Sequence, residues 1–427
     1  MAVLAVVVFV GAYILLVTEK VHRVAAALGG AGIMMAAGVV GAEDAFFSQE
    51  TGVDWNVIFL LLGMMIIVGV LRETGVFEYM AIWAAKRAKG KPFRVMVTFV
   101  LLTAFASALL DNVTTVLLVA PVTLLVCLRL GVPPVPFLIA EVLASNIGGA
   151  ATLIGDPPNI IIASRGDLSF NDFLFNMGPI VVLLLVVYLG LCRFLFRKAF
   201  SYDEARVAQV MSLNEKDAIE NRPLLLKAGG VLLLVTVGFV LHSALDTEVS
   251  VIALLGAGLL VAIGGLSPKE YLSEVEWPTL VFFAGLFIMV GGLIKVGVIG
   301  SLSTLVTDAT GGNVLLATML LLVVSGVLSG IVDNIPYVAT MAPLVADLAD
   351  DAGNPGNVLW WALALGADLG GNATIVGASA NVVVLGIAER NGYKISFLEF
   401  FKYGGVVAFI TIALCAPYLW LRYFVFA

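Results

Sequence analysis

Residues 145–162 read SNIGGAATLIGDPPNIII, and residues 366–384 read GADLGGNATIVGASANVVV. Each stretch interrupts an apolar run with a pair of glycines, which threonine, glycine and asparagine follow at matching spacings. Unwound backbone inside a bilayer is tolerated only where protein or a ligand satisfies its polar groups. The two stretches therefore predict two interrupted membrane helices, at residues 134–164 and 357–388, with a binding site where the interruptions meet.

The two stretches belong to an internal repeat with a constant offset of 222 residues. The matched pairs include Trp55 with Trp277, Gly63 with Gly285, Asp111-Asn112 with Asp333-Asn334, Pro121 with Pro343, and Asn159 with Asn381. Each copy contains five predicted crossings and one helical hairpin, at residues 93–130 and 312–348. An odd number of crossings inverts the second copy, and inverted repeats are typical of secondary transporters.

The composition places the chain in a membrane. Of its 427 residues, 61% are hydrophobic and 12% are charged, whereas soluble domains are about 45–50% apolar and about 25% charged. These values exclude a soluble enzyme, a nucleic-acid-binding protein and a disordered scaffold. We expect an all-α polytopic membrane protein with about 10 spans plus two hairpins, and the lipid bilayer as its surroundings.

The basic residues predict the organisation and the orientation. We expect a first repeat at residues 1–197, a cytoplasmic linker at 198–223 and a second, inverted repeat at 224–427. All but three of the 23 Lys and Arg residues fall in segments assigned to one side, which is then cytoplasmic. The exceptions are Arg165, Lys295 and Arg422. Both termini would face outside, in a prokaryotic inner membrane, with the apolar run from residue 2 to 17 retained as a span.

Polar residues at the interruptions and hairpin tips are the candidates for binding. The predicted substrate- or ion-binding residues are Asp111, Asn112, Asn146, Gly148, Gly149, Thr152, Asp156, Asn159, Asp333, Asn334, Asp368, Gly370, Gly371, Asn372, Thr374, Ser379 and Asn381. The asparagines suit a hydroxylated or hydrated solute because their amides both donate and accept hydrogen bonds. No metal site is expected, and the only cofactor would be Na⁺ or H⁺ as a coupling ion.

Five acidic residues are candidate proton carriers, because a carboxyl inside a membrane is costly and usually functional. They are Asp111, Glu141, Asp156, Asp333 and Asp368. An alternative exists for most of them: the hairpin-tip aspartates and Asp156 could cap helices, and Glu141 could be a buried structural partner. Asp156 corresponds to Ala378 and Asp368 to Asn146 in the repeat, so the two halves are not chemically equivalent.

An intramembrane aspartyl protease is the alternative from another functional class, since several acids lie in predicted spans. Such enzymes place one aspartate in a Gly-x-Gly-Asp motif, whereas Asp156 follows Leu153-Ile154-Gly155. The inverted repeat also has no role in a protease. We therefore expect no enzymatic activity.

Three strings resemble the ion transporter superfamily: DNVTTVLLVAPVT (111–123), IAEVLASNIGGAATLIGDPPNIIIAS (139–164) and LGGNATIVGASANVVVLGIAERNGYKISFLEFFKYG (369–404). They are similar to the branch with arsenical pump membrane proteins (ArsB), NhaD-type sodium/proton antiporters and P proteins. The resemblance covers residues 53–403 and implies a scaffold part and a transport part, often in a homodimer. For an arsenical pump, it also implies a soluble ATPase subunit as a partner.

The hairpin tips depart from related carboxylate carriers, in which Ser-Asn-Thr binds sodium and the substrate carboxylate. Here the tips read Asp111-Asn112-Val113 and Asp333-Asn334-Ile335. A fixed carboxylate repels a dianionic substrate, so we expect proton-coupled export of a small inorganic solute such as arsenite or antimonite. Sodium/proton antiport and anion or carboxylate transport are the alternatives. No cysteine lies near either interruption, so arsenite would be held through its hydroxyls.

Overall fold

The computed structural model describes residues 1–18, 20–200, 204–212, 214–352 and 354–426, and their regular secondary structure is helical, with no strand among them. The first repeat contains α1 (Ala2–Thr18), α2 (Arg23–Ala36), α3 (Ala42–Phe47), α4 (Trp55–Arg72), α5 (Val76–Arg87), α6 (Pro92–Leu109), α7 (Asn112–Leu130), α8 (Val135–Gly149), α9 (Pro157–Gly166) and α10 (Phe170–Leu195). The linker contains α11 (Glu204–Met211).

The second repeat contains the same number of helices in the same order. They are α12 (Arg222–Leu245), α13 (Val249–Gly264), α14 (Pro268–Ser273), α15 (Trp277–Lys295), α16 (Val298–Thr310), α17 (Val314–Ser329), α18 (Asn334–Ala352), α19 (Val358–Gly370), α20 (Ser379–Arg390) and α21 (Phe397–Trp420). The division of the chain at residues 197 and 224 stays a prediction.

Many helices are long and apolar enough to cross a bilayer. Seven qualify singly within the described residues, namely α4, α6, α7, α10, α12, α15 and α21 with its C-terminal extension. An eighth span is possible if α16 and α17, which are bent by 117° at their connection, are counted together. Shorter apolar helices are α1, α2, α8 and α13. This helix set confirms the predicted all-α polytopic class.

The interruptions and the hairpin tips lie where the sequence predicts them. Helix α8 ends at Gly149 and α9 begins at Pro157, while α19 ends at Gly370 and α20 begins at Ser379. In the first hairpin, α6 and α7 are separated by Leu110 and Asp111, which both have extended backbone. Non-helical backbone therefore occurs at four points inside apolar sequence, two in each repeat.

The helices pack as two groups, which we call the scaffold group and the transport group after the two parts that the resemblance implies. Each group contains helices of both repeats. In the scaffold group, α2 packs on α15 and α4 packs on α13. In the transport group, α6 packs on α8 and α17 packs on α19. Across the repeats, α7 packs on α20 and α9 packs on α18. The hairpin of each repeat thus contacts the interrupted helix of the other repeat, which brings the four non-helical points together.

Two repeat-matched glycines allow the interrupted helices to approach the hairpins. A Cβ atom added at Gly148 would lie 2.7 Å from the carbonyl carbon of Ala104. At the matching position, a Cβ atom added at Gly370 would lie 2.8 Å from the carbonyl carbon of Gly326. Small residues permit such close contact between membrane helices, so these glycines fix the separation of α8 from α6 and of α19 from α17.

We expect Gly370→Ala to lower the stability of the protein by about 1–3 kcal/mol, because the added methyl overlaps backbone atoms that have no flexible end to move. Gly386→Ala, in α20, is the matched control, since a Cβ atom there has only Arg390 within 4 Å, at 3.7 Å. The thermal midpoints of both purified variants in detergent measure the effect. Equal midpoints for Gly370→Ala and Gly386→Ala would contradict close packing of α17 on α19.

The linker lies against the first repeat. The Lys86 ammonium of α5 donates to the Glu215 carboxylate at 2.5 Å, and this bond lowers the pKa of the half-buried Glu215 carboxyl. The backbone N–H of Glu220 donates to the carbonyl of Thr74 at 3.1 Å. The connection between the repeats is therefore attached by polar contacts to α5 and to the turn that precedes α5.

Candidate functional site

Asp156 lies at the centre of the transport group and joins both hairpin tips. Its Oδ2 accepts a hydrogen bond from Nδ2 of Asn112 at 2.8 Å. Nδ2 of Asn334 approaches both carboxyl oxygens at 3.3 Å. Asp156 is 1% exposed, and although it occupies the N-cap position of α9, its side chain makes no capping hydrogen bond. The Asp156 carboxyl therefore binds side chains of α7 and α18 and does not cap its own helix, α9.

Asn146 extends this cluster to the second interruption. Its Nδ2 donates to Oδ1 of Asn372 at 3.0 Å and to Oδ1 of Asn381 at 3.1 Å. Its Oδ1 accepts from Nδ2 of Asn112 at 3.2 Å. All four amides are buried, so a continuous chain of amide hydrogen bonds runs from the first hairpin tip to the second interruption.

Asp368 lies at the position that the repeat relates to Asn146, but its carboxyl is not satisfied. The residue is 0% exposed, and neither carboxyl oxygen makes a hydrogen bond within the described residues. Asn159 interacts with the Asp368 carboxyl, and Oδ1 of Asn159 is likewise without a hydrogen bond in the described part of the chain. Three buried acceptor atoms in this half of the site therefore have no donor there, and a proton or a cation would satisfy them.

The other acids of the cluster surround Asp156. Its carboxyl interacts electrostatically with Asp368, Asp333 and Asp111. No Lys or Arg of the described residues forms a salt bridge with Asp156 or Asp368. Four of the five predicted proton carriers thus share one site, which carries little compensating positive charge.

The hairpin-tip aspartates also stabilise local structure. Asp111 caps α7, with its Oδ1 accepting from the backbone N–H of Thr114 at 2.7 Å. Asp333 accepts from the backbone N–H of Ile335 at 3.0 Å and from Oγ of Ser379 at 2.6 Å. The capping interpretation of both residues therefore describes part of their contacts, and Asp333 also binds the start of α20.

Repeat-matched side chains hold the unwound backbone of the interruptions. Nδ2 of Asn159 donates to the carbonyls of Gly149 and Thr152, at 3.4 and 3.1 Å, and Nδ2 of Asn381 donates to those of Gly371 and Thr374, both at 2.8 Å. The threonine hydroxyls reach the hairpins: Oγ1 of Thr152 donates to the carbonyl of Ala108 at 2.6 Å, and Oγ1 of Thr374 donates to that of Gly330 at 2.7 Å. These groups maintain the shape of the site.

Glu141 lies away from the aspartates. Its Oε1 accepts from Oγ1 of Thr123 at 2.5 Å, its Oε2 has no partner among the described residues, and its electrostatic neighbours include Cys127 and Tyr188. Glu141 is 3% exposed. The structure therefore does not bring it together with the four aspartates.

Two serines and one arginine at the site were not predicted. Oγ of Ser107 donates to the carbonyl of Ser145 at 2.8 Å, and Oγ of Ser329 donates to that of Ala367 at 2.6 Å. These two serines are also related by the offset of 222, so the repeat could have identified them. Arg23 hydrogen bonds to Ser379 at 3.1 Å, and no signal in the sequence distinguishes it from the other basic residues.

Comparison with known proteins identifies the family. A profile described as citrate transporter (CitMHS) matches residues 13–366. An uncharacterized transporter of Mycobacterium tuberculosis is 58% identical over 430 residues, which cover all of both chains, and the 46 kDa membrane protein of Mycobacterium leprae is 57% identical over 427 residues, again covering both. The human P protein is 34% identical over 494 residues, covering 96% of this chain and 59% of the P protein.

A solved structure has the same fold. The YdaH transporter of Alcanivorax borkumensis superposes with a TM-score of 0.62, covering 91% of this chain and 88% of the other, at 15% sequence identity. At this identity the likeness concerns the fold alone. The profile match and the mycobacterial relatives show that this chain is a membrane transporter, and that it belongs to the citrate transporter (CitMHS) family of the ion transporter superfamily.

Proposed function

We propose that this protein is a proton-coupled secondary transporter, with Asp368 as the group that carries the proton. The observation that supports the proposal is the difference between the two halves of the site. In one half, the amide of Asn146 donates to Oδ1 of Asn381. In the other half, Asp368 replaces Asn146, and Oδ1 of Asn159 has no donor within the described part of the chain.

A protonated Asp368 would complete this half of the site. Its O–H group would donate to Oδ1 of Asn159, as the N–H of Asn146 does to Oδ1 of Asn381. An ionised Asp368 would instead be a buried charge without a salt bridge, repelled by the carboxyl of Asp156, and burying an unpaired charge is strongly unfavourable. Proton binding at Asp368 therefore stabilises this conformation, and proton loss favours a different one.

The cargo that fits this site best is a small neutral solute with hydroxyl groups, such as arsenite or antimonite. Among the described residues, Nδ2 of Asn372 is buried without an acceptor, and the oxygens of Asp368, near the end of α19, are without donors. A hydroxylated solute can supply both a donor and an acceptor. The surrounding carboxyls disfavour a citrate trianion by charge repulsion, although the description of the matching family profile names citrate.

Sodium/proton antiport is the second candidate function. The unpartnered oxygens of Asp368 and Asn159 would also serve as ligands for a hard cation, which prefers oxygen donors. In that case, the ion and the proton would compete for Asp368. A homodimer and a soluble ATPase subunit are implied by the resemblance alone and remain predictions, as does the location in a prokaryotic inner membrane.

Uptake into proteoliposomes distinguishes these functions. With a pH gradient imposed, arsenite or antimonite should accumulate about tenfold for each pH unit and each coupled proton, because one pH unit corresponds to about 1.4 kcal/mol. Protein-free liposomes provide the control. Accumulation that is identical with and without the gradient would contradict proton coupling. Dissipation of the gradient by sodium or lithium, without arsenite uptake, would favour the antiporter.

A further inference from the structure

A cavity of about 520 Å³ reaches the second half of the site from the side predicted to be cytoplasmic. Its wall includes Asp333 and Ser379, which belong to the second hairpin tip and the second interruption. The scaffold group supplies the opposite wall, with Arg23, Glu276 and Thr279. The cavity therefore lies between the two groups of helices and ends at residues that contact the central cluster.

Arg23 crosses this cavity and joins its two walls. One guanidinium nitrogen donates to Oγ of Ser379 at 3.1 Å, and the other donates to Oγ1 of Thr279 at 3.2 Å. Ser379 in turn donates to Oδ2 of Asp333 at 2.6 Å. The guanidinium carbon also lies 5.9 Å from the centre of the Phe282 ring. Arg23 thus connects α15 of the scaffold group to the start of α20 in the transport group.

The repeat places a second cavity, of about 340 Å³, on the opposite side, and this cavity differs in size and in its lining residues. Its wall includes Val57, Leu60 and Ile160, which correspond to Thr279, Phe282 and Val382 of the first cavity. It does not include Asp111, the counterpart of Asp333. The counterpart of Arg23 is Leu245, which cannot form an equivalent bond.

Other contacts between the groups occur on this opposite side. Oγ of Ser164 donates to Oδ2 of Asp54 at 2.5 Å, and Arg165 donates to the backbone carbonyl of Glu50 at 2.8 Å. These bonds join the end of α9 to the segment before α4. The side with the smaller cavity therefore has its own bonds between the two groups, made by residues other than Arg23.

We propose that Arg23 is a latch that stabilises the conformation open to the larger cavity, and that its bond to Ser379 breaks when the protein converts to the conformation open to the other side. The proposal rests on the transport function proposed above, but not on the identity of the cargo or of the coupling ion. Because the second repeat has a leucine at this position, the two conformations are not energetically equivalent. Arg23 stabilises only the conformation that is open to the larger cavity.

Cysteine labelling of the purified protein in liposomes tests this latch. Val383→Cys reports on the larger cavity and Leu153→Cys on the smaller one, since each residue lines its cavity, and Leu153 is buried in this conformation. The three native cysteines are buried and would be replaced by alanine. We expect Arg23→Ala to slow maleimide labelling of Val383→Cys and to accelerate that of Leu153→Cys, with the ratio changing about tenfold.

Matched variants separate a latch from a general loss of structure. Ser379→Ala should shift both labelling rates in the same directions, and combining it with Arg23→Ala should add nothing, because both variants remove the same bond between the two groups, the bond from Arg23 to Ser379. Arg87→Ala, which removes an exposed arginine of α5, should leave both rates unchanged. Unchanged labelling in Arg23→Ala, or a parallel rise at both reporters, would overturn the proposal. Neither outcome depends on detecting transport of arsenite or protons.

Discussion

Asp368→Asn is expected to leave the protein folded and inserted while abolishing the dependence of transport on the pH gradient. The substitution places in the second half the side chain that Asn146 provides in the first half. Its Nδ2 can donate to Oδ1 of Asn159, an atom for which the described residues of the native chain supply no donor. The variant therefore resembles the protonated state, but it has no proton to release.

The measurement is the accumulation ratio of arsenite in proteoliposomes at an imposed gradient of about one pH unit. The native protein should reach a ratio of about ten per coupled proton, and the variant should equilibrate at a ratio of about one. Exchange of arsenite in the absence of a gradient can persist in the variant, which separates loss of coupling from loss of binding.

The exposed Asp350 supplies a control for the charge change, since Asp350→Asn removes the same charge from the surface of α18. It should behave as the native protein does. A gradient-dependent accumulation in Asp368→Asn equal to that of the native protein would show that the proton is carried elsewhere. Asp156, which lies closest to the hairpin-tip amides, would then be the next residue to examine.

Asp156→Ala should have the largest effect on stability and should abolish transport. The carboxyl accepts hydrogen bonds from Asn112 and Asn334, one from each hairpin tip. Without it, two buried amides lose an acceptor, and each buried unsatisfied group costs about 1–3 kcal/mol. The hairpin tips would also lose the group that joins them, so the site would lose its geometry.

The thermal midpoint of the purified variant and its arsenite uptake together measure this effect. Asp156→Asn should be intermediate in stability, because one acceptor oxygen remains and the other is replaced by a donor. Asp167→Asn, at an exposed position with a positive φ of 50° after α9, is the matched control, since asparagine tolerates that backbone conformation. An Asp156→Ala protein with native stability and native uptake would contradict the central role of this carboxyl.

Local information in the sequence was sufficient for the interruptions and for the hairpin tips. Gly-Gly pairs, Asp156-Pro157 and the aspartates at the tips are signals read within a few residues, and in the structure a helix ends at each glycine pair and another begins directly after each aspartate. Most of these signals also recur at an offset of 222 residues, and this recurrence supports the interpretation of each one. It also predicted which side chains would be equivalent, including the paired roles of Asn159 and Asn381.

The direction in which a side chain points depends on packing, and here the sequence was less informative. Glu141 resembles the aspartates in being an acid in an apolar run, but it faces Thr123 and Tyr188 rather than the interruptions. Thr152 and Thr374 are positioned like ligands, but their hydroxyls are bonded to hairpin carbonyls. A run that is apolar on all sides gives no preferred face, so periodicity could not separate these cases.

The sequence by itself determined that the chain is a membrane protein with two inverted halves and that the halves differ at Asp156 and Asp368. Only the tertiary structure decided that each hairpin packs on the interrupted helix of the other repeat, with α7 on α20 and α9 on α18. These contacts join segments that are far apart in the chain, and they depend on shape and close packing rather than on local pattern. For the same reason, only the folded chain shows Arg23 bridging to Ser379, 356 residues away.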